Sequence, residues 1–266
     1  MPKLPSRYLD TLAMFEESRP GQLRYAGTGF FCRYFTGGAE GRTLLFLVTS
    51  DRAASGDLGY TSLVFGRSKG FNRITYPAGC GGRLALGDWL VDSKRGVALL
   101  PLDPERLKED AIRCETFDLW GGTLESWQMR KRGVGEGDDV LVLGFAPERL
   151  RLRPVTMVRK GIVARIQDFY GRRSPTFLVE ATTFAGNTGS PVVIRPAHGK
   201  KGQPLTHPRP HLIGLVSDSL PNPAQPVPRD QEGRAVLVRV HTGLVRVIPV
   251  DAIVGMVRMA AGNSSP

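Results

Sequence analysis

The stretch AGNTGSPV, residues 185–192, decides the fold that the sequence predicts. It lies between two apolar runs, at 176–181 and 191–194, whose composition favours strands. Two glycines, Gly186 and Gly189, flank the hydroxyl residue Thr188, and glycine permits close backbone approach and positive φ. Such a turn can point several backbone N–H groups at one place, which makes an anion site or an oxyanion hole. The turn therefore predicts a site built between two strands.

Short strands dominate the remainder of the predicted structure. Apolar runs that favour strands lie at 27–35, 43–49, 63–65, 71–76, 89–91, 97–102, 139–145, 155–166, 176–181, 192–194, 211–217 and 235–240. Strands at this spacing indicate small antiparallel barrels and not a βαβ fold. Helical spacing predicts an N-terminal helix over 7–17, with Ser6 as its N-cap, and an amphipathic helix over 250–259 that begins after Pro249.

The runs divide the chain into five predicted parts. The boundaries are an N-terminal helical extension at 1–20, a first β-barrel at 21–103, a connection at 104–134, a second β-barrel at 135–247, and a C-terminal helix and tail at 248–266. Two long insertions, 195–210 and 219–233, are rich in proline, and such loops lie on the surface.

Charge and composition limit the classes of function. The 266 residues carry a formal net charge of +11, which suits an acidic partner or nucleic acid, or else an arginine-rich solvated surface. No nucleic-acid module is recognisable, so nucleic acid is possible as a partner but not favoured. No apolar run approaches the roughly 20 residues that span a bilayer, and the N-terminus lacks the pattern of a signal peptide, so no membrane is expected. Cys32, Cys80 and Cys114 lack metal-ligand spacing, which favours reduced thiols, a cytoplasmic location, and no metal or other cofactor.

Five segments beside the Thr188 turn resemble, in the same order, segments of the trypsin-like serine peptidases of the intracellular bacterial type. They are GTGFF at 27–31, LFLVT at 45–49, VALL at 97–100, LIGLVS at 212–217 and VIPVDAI at 247–253. The turn itself is similar to the loop that carries the nucleophile of that family. The resemblance covers residues 27–257. It implies an all-β fold of two six-stranded antiparallel β-barrels packed together, with a helix at each end of the chain.

The same resemblance implies a degenerate catalytic triad. It places Arg52 at the position of the histidine, Gly96 at that of the aspartate and Thr188 at that of the serine. Arginine stays protonated and cannot act as the base, glycine cannot orient an imidazole, and the β-branch of threonine crowds the path of attack. Asp51 is either a displaced base or one half of a surface ion pair. The four histidines all lie in the second half of the chain, at His198, His207, His211 and His241.

Binding groups are expected to persist where catalysis is lost. The backbone N–H groups of Gly186, Asn187 and Thr188 form the oxyanion-type nest that the resemblance implies. Arg52 either adds positive charge beside the nest, which would suit a carboxylate, or plugs the cleft.

The cleft itself has two predicted parts. By the resemblance, Val216, Ser217 and Asp218 belong to the strand that pairs with an extended peptide by strand addition. Thr182 and Thr183 lie where the family builds its side-chain pocket, which would here be small and neutral.

The sequence therefore predicts a pseudoprotease: an inactive trypsin-like homologue that binds a protein or peptide, or regulates one, through the former substrate cleft. One alternative is an active peptidase or hydrolase with a non-standard site that uses Thr188. A third hypothesis is a basic adaptor that associates with nucleic acid.

Overall fold

The structure is a computed structural model that describes most of the chain. The described residues are 4–19, 22–37, 41–54, 61–65, 76, 82–112, 114–145, 156–184, 186–194, 209–221 and 241–262. The strand predicted at 235–240 lies outside these residues, and so does the strand predicted at 71–76 except for Tyr76.

Seven strands form the first sheet. They are β1 Leu12–Arg19, β2 Gln22–Phe35, β3 Thr43–Ser50, β4 Thr61–Phe65, β5 Leu90–Asp92, β6 Val97–Leu102 and β7 Phe117–Asp118. The order is β4-β1-β2-β3-β6-β5, and β7 pairs with β2 in parallel. Within the described ranges this sheet does not close into a barrel.

Six further strands close into an antiparallel barrel. They are β8 Asp139–Phe145, β9 Thr156–Arg165, β10 Phe177–Ala181, β11 Pro191–Ile194, β12 His211–Pro221 and β13 His241–Pro249. The closed order is β10-β13-β12-β11-β8-β9. Successive side chains of each strand point alternately into and out of the barrel. On β9, positions 159, 161 and 163 are buried, whereas 158, 160 and 162 are exposed. This barrel confirms the antiparallel barrel predicted for the second half of the chain.

Helices are short except at the C-terminus. They are α1 Asp51–Ala54, α2 Pro104–Glu109, α3 Ser126–Lys131, α4 Gln167–Tyr170 and α5 Val250–Ala260, with 3₁₀ helices at Ser6–Thr11 and Gly82–Leu84. The helix α2 begins at Pro104 because Asp103 caps it, accepting the N–H groups of Glu105 and Arg106. No helix of the described residues is both long and apolar enough to cross a membrane.

One hydrophobic cluster joins the sheet, the barrel and α5. Phe30 and Val48 enter it from the sheet, Leu143 and Leu215 from the barrel, and Val257 from α5. The barrel interior and the other face of the first sheet have separate clusters. The shared cluster holds the sheet against the barrel, and the candidate site lies at this junction.

The N-terminal helix predicted over 7–17 is wrong for most of its length. A 3₁₀ helix occupies Ser6–Thr11, and residues 12–19 form β1, which pairs with β2 and β4. Leu12 lies opposite Phe30, and Ala13 lies between Gly29 and Phe65. Neighbours on both sides satisfy the backbone of this apolar run as a strand, so tertiary pairing overrides its helical spacing.

The six-stranded first barrel predicted over 21–103 also differs from the structure. The first sheet takes β1 from before this range and β7 from after it, and in the part of the chain that the structure describes it is open. The helix α5, by contrast, lies where helical spacing predicts one.

Candidate functional site

The Thr188 loop, residues 182–190, connects β10 to β11. Two glycines bend it, with φ of +92° at Gly186 and +86° at Gly189, a region that other residues avoid. The N–H of Asn187 donates to the carbonyl of Phe184 at 3.0 Å. The Asn187 side chain completes the turn, because its Oδ1 accepts the N–H of Phe184 at 2.9 Å. Local sequence therefore determines the shape of the loop.

The loop is anchored to the sheet on one side and to the barrel on the other. Thr28 of β2 donates its N–H to the carbonyl of Thr188 at 2.8 Å and its hydroxyl to the carbonyl of Gly186 at 2.7 Å. The N–H of Gly189 donates to the carbonyl of Val216 on β12 at 2.7 Å. These bonds hold the loop across the junction of the two halves.

Arg52 and Gly96 are neighbours in the fold, as the predicted site requires. The helix α1 follows β3 directly and carries Arg52 as its second residue. The N–H of Asp51 donates to the carbonyl of Gly96 at 3.0 Å, which joins α1 to the turn between β5 and β6.

Gly27 of β2 brings α1 beside the Thr188 loop. A Cβ built on Gly27 would lie 2.7 Å from the Cβ of Ala53 and 3.1 Å from the carbonyl oxygen of Thr188. The three positions assigned to the degenerate triad, those of Arg52, Gly96 and Thr188, are therefore close to one another.

A side chain at position 96 would be strained on this backbone. Gly96 has a φ of +75°, and a Cβ there would lie 2.9 Å from the Cδ1 of Ile248. The Oδ1 of Asp51 would lie 3.6 Å from that Cβ, but this oxygen accepts the N–H of Arg52 at 2.7 Å. The Oδ1 of Asp51 is therefore already engaged in a hydrogen bond at the start of α1.

The Thr188 hydroxyl makes no hydrogen bond to any described residue. A hydroxyl nucleophile needs a titratable base within hydrogen-bond reach. The arrangement around Thr188 thus offers binding groups and no described base.

The predicted oxyanion-type nest reduces to two backbone groups. The N–H of Asn187 is taken by the carbonyl of Phe184, whereas the N–H groups of Gly186 and Thr188 have no acceptor among the described residues. Two unpaired N–H groups in a loop with positive φ can receive a carbonyl or carboxylate oxygen.

An ion network crosses the predicted cleft beside the loop. Arg52 on α1 donates to the Oδ2 of Asp218 on β12 at 3.3 Å, and Arg246 on β13 approaches the same oxygen at 3.5 Å. The other oxygen of Asp218 is buried and accepts no hydrogen bond from the residues that the structure describes. The side chain of Arg52 is 62% exposed, so this pair is a surface contact that contributes about 0.2–1 kcal/mol.

The two residues of the predicted side-chain pocket differ in exposure. Thr182 is exposed, whereas Thr183 is buried and its hydroxyl lies 2.8 Å from that of Ser219 on β12. This contact ties the loop at Thr183 to β12 and engages the hydroxyl of one of the two predicted pocket residues.

The predicted peptide-pairing strand keeps one open edge. On the β11 side, the ladder of β12 ends where Leu215 pairs with Pro191, and Val216 then bonds to the Thr188 loop through Ser190 and Gly189. Beyond Val216, residues 217–220 face no described strand on that side. Ser217 and Asp218 lie on this edge.

Sequence reasoning missed several polar residues of the site. They are Arg159, Ser190, Ser219 and Arg246, together with the exposed aromatic residue Phe184. One signal was available for Arg159, because this charged residue occupies an inward position in the alternation of β9. The contacts of the other residues depend on distant strands.

Titratable groups elsewhere supply no catalytic constellation in the described ranges. His211 is half-buried at the start of β12, and burial lowers its pKa. His198, His207 and the side chain of His241 lie outside the described residues. Cys32 and Cys114 are free thiols, Cys80 is not described, and no cluster of three potential metal ligands occurs within the described part.

Comparison with known proteins adds no further assignment to this geometry. The chain matches no protein-family model and no curated protein.

Proposed function

We propose that the chain is a catalytically inactive homologue of the trypsin-like peptidases that binds an extended peptide segment of a protein partner along β12. The observation that carries the proposal is the open edge at residues 217–220, which lies beside the anchored Thr188 loop. An extended peptide that pairs with such an edge gains backbone hydrogen bonds regardless of most side chains. The N–H groups of Gly186 and Thr188, which have no acceptor among the described residues, belong to the same loop, which bonds to Val216 at the start of this edge.

The lack of catalysis follows from the chemistry at three positions. Arg52 carries a fixed positive charge where a base would stand, and it bonds to Asp218. Gly96 has no side chain, and the hydroxyl of Thr188 has no described base. We expect no hydrolysis of casein or of mixed peptide substrates, and no labelling by a fluorophosphonate probe. A covalent adduct on Thr188 would favour the alternative hydrolase.

Peptide binding is tested by selecting ligands from a displayed library of random peptides. The best peptide is then synthesised with N-methyl groups at alternate backbone positions, which remove donors without changing the protein. Strand addition predicts that methylation in one register abolishes binding, whereas methylation in the other register has little effect. Equal affinity of all methylated forms would refute pairing with β12.

The role of Arg52 is tested by Arg52→Ala. Its side chain spans the edge to Asp218, so a peptide must displace it, and removal should tighten binding by up to about fivefold, as an exposed ion pair implies. The matched control is Arg33→Ala, which breaks a 3.0 Å pair with Asp118 of similar exposure on the first sheet. Weaker binding by Arg52→Ala would instead mean that Arg52 contacts the peptide.

Association with nucleic acid is supported only by the net charge of +11. A cytoplasmic setting is part of our proposal, supported by the free thiols Cys32 and Cys114. A bacterial setting rests on the family resemblance alone.

A further inference from the structure

A polar cavity of about 430 Å³ lies beside the start of β12. Its walls come from three parts of the chain: the 3₁₀ helix Ser6–Thr11, the strands β2 and β7 with the turn that follows β7, and the two residues before β12. The hydroxyl of Tyr8 donates to the carbonyl of Pro210 at 3.2 Å and so joins two of these walls. The volume lies within the range of about 300–1,000 Å³ that is usual for sites of small molecules. We call this space the Tyr8 cavity.

Five charged side chains line the Tyr8 cavity, and their charges do not cancel. They are Arg7, Arg33, Arg209, Glu115 and Asp118. Arg33 donates to Asp118 at 3.0 Å, which leaves two cations and one carboxylate. Within the described part of the chain, the side chains of Arg7, Arg209 and Glu115 have neither an ion pair nor a hydrogen bond. The cavity therefore carries an excess of positive charge.

The two unpaired arginines belong to segments that are joined to each other. Arg7 directly precedes Tyr8 and Arg209 directly precedes Pro210, and the bond between Tyr8 and Pro210 links the two segments. The guanidinium carbon of Arg7 lies 5.7 Å from the centre of the Tyr8 ring, a cation–π contact that holds the group at this wall. The N–H of Gly121, another lining residue, has no acceptor among the described residues. Guanidinium groups match the oxygens of a phosphate bidentately, and a backbone N–H adds a further donor.

We propose that the Tyr8 cavity binds a small phosphorylated sugar or polyol, that is, a phosphate monoester with free hydroxyl groups. The phosphate lies at Arg7 and Arg209, whose two charges outnumber the single unpaired carboxylate. An ionised carboxylate can only accept hydrogen bonds, so Glu115 requires donors, which the hydroxyl groups of the ligand supply. The mostly polar lining does not suit a lipid, and the volume is larger than an inorganic phosphate ion needs. The inference does not depend on peptide binding.

Isothermal titration calorimetry tests the proposal with three monoesters: ribose 5-phosphate, glucose 6-phosphate and glycerol 3-phosphate. At least one of them should bind. Inorganic phosphate and the unphosphorylated ribose, glucose and glycerol should bind at least about tenfold more weakly, because each lacks one half of the recognised groups. Failure of all three monoesters to bind, or equal affinity for inorganic phosphate, would overturn the proposal.

Substitutions at the cavity locate the binding site. Arg7→Gln and Arg209→Gln should each weaken binding of the best monoester by about tenfold, and both residues are exposed, so neither change should unfold the protein. The matched control is Arg42→Gln, because Arg42 is exposed, has no ion pair to a described residue and does not line the cavity. An equal loss of affinity in Arg42→Gln would mean that general charge attraction explains the binding, which would refute a site at this cavity.

A single-stranded oligonucleotide is the competing ligand, since its backbone also presents phosphates and sugars. It should bind more weakly than the best monoester, because the Tyr8 cavity is bounded by three parts of the chain and holds one small molecule. Tighter binding of the oligonucleotide, lost in Arg7→Gln and Arg209→Gln, would assign the cavity to nucleic acid and overturn the proposal.

Discussion

Substitution of Gly189 by alanine should destabilise the protein more than positive φ alone explains. Gly189 has a φ of +86°, and a left-handed conformation costs a residue with a Cβ about 1–2 kcal/mol. The new Cβ would also lie 2.1 Å from the carbonyl oxygen of Thr28 and 2.3 Å from the Oγ1 of Thr49. Both distances are far below van der Waals contact, so the loop and the two strands must move apart.

The separation breaks identifiable hydrogen bonds. The Thr49 hydroxyl donates to the carbonyl of Thr28 at 2.8 Å, and the N–H of Thr28 donates to the carbonyl of Thr188 at 2.8 Å. Each such bond contributes about 0.5–1.5 kcal/mol. With the conformational cost, we expect Gly189→Ala to lower the free energy of unfolding by about 2–5 kcal/mol.

Urea unfolding followed by circular dichroism measures this loss, and Gly137→Ala is the matched control. Gly137 has a φ of +92°, but a Cβ there would meet no atom within 4 Å. The control should therefore lose only about 1–2 kcal/mol. If the two variants were equally stable to urea, the close packing of the Thr188 loop against Thr28 and Thr49 would be refuted.

Three further predictions concern the remainder of the chain. Glu136 accepts the N–H of Ile166 at 3.0 Å, and this bond, together with those from Gln167, lowers the pKa of its carboxyl from 4.5 to about 2. The stabilisation by the charged carboxylate is therefore present above pH 4.5 and is lost as the pH falls towards 2. In urea titrations, the difference in free energy of unfolding between wild type and Glu136→Gln should shrink over that window. A difference that stays constant with pH would contradict the low pKa of Glu136. Burial raises the pKa of the Cys114 thiol to about 11, so iodoacetamide at pH 8 should modify Cys114 about a hundredfold more slowly than a free cysteine. Peptide mapping by mass spectrometry measures the modification rate. Modification as fast as that of a free cysteine would contradict the burial of Cys114. The Asp251 carboxylate accepts hydrogen bonds from the hydroxyl of Ser126 at 2.6 Å and from its N–H at 2.9 Å. In urea unfolding, Asp251→Ala should therefore lower the free energy of unfolding by about 1–3 kcal/mol. An unchanged free energy would mean that this contact does not hold α5 to α3.

The closed barrel could be predicted from sequence because its strands follow a period of two. Val163 and Val179 are buried at alternate positions of short apolar runs, and this pattern is local. The turn at Gly186 and Gly189 was also predictable, since positive φ is a property of single glycines. The helix α5 follows from an apolar face that begins after Pro249.

The candidate site was predictable only as a set of positions. Arg52, Gly96 and Thr188 were assigned by resemblance to a known family, and their chemistry as single residues excludes a conventional base. The sequence did not predict that Arg52 bonds to Asp218 or that Arg246 approaches the same carboxylate. These contacts join residues far apart in the chain, and nothing in local spacing specifies them.

The sequence by itself determined the bend of the Thr188 loop, the alternation of the barrel strands and the absence of a base at position 52. Tertiary structure decided the conformation of residues 12–19, because β2 and β4 supply the backbone partners that make this apolar run a strand. It also decided which polar groups are buried together. Arg159 and Ser190 approach Gly144 because β8 pairs with both β9, which carries Arg159, and β11, which Ser190 directly precedes. Burial removes the water that would otherwise solvate the cation.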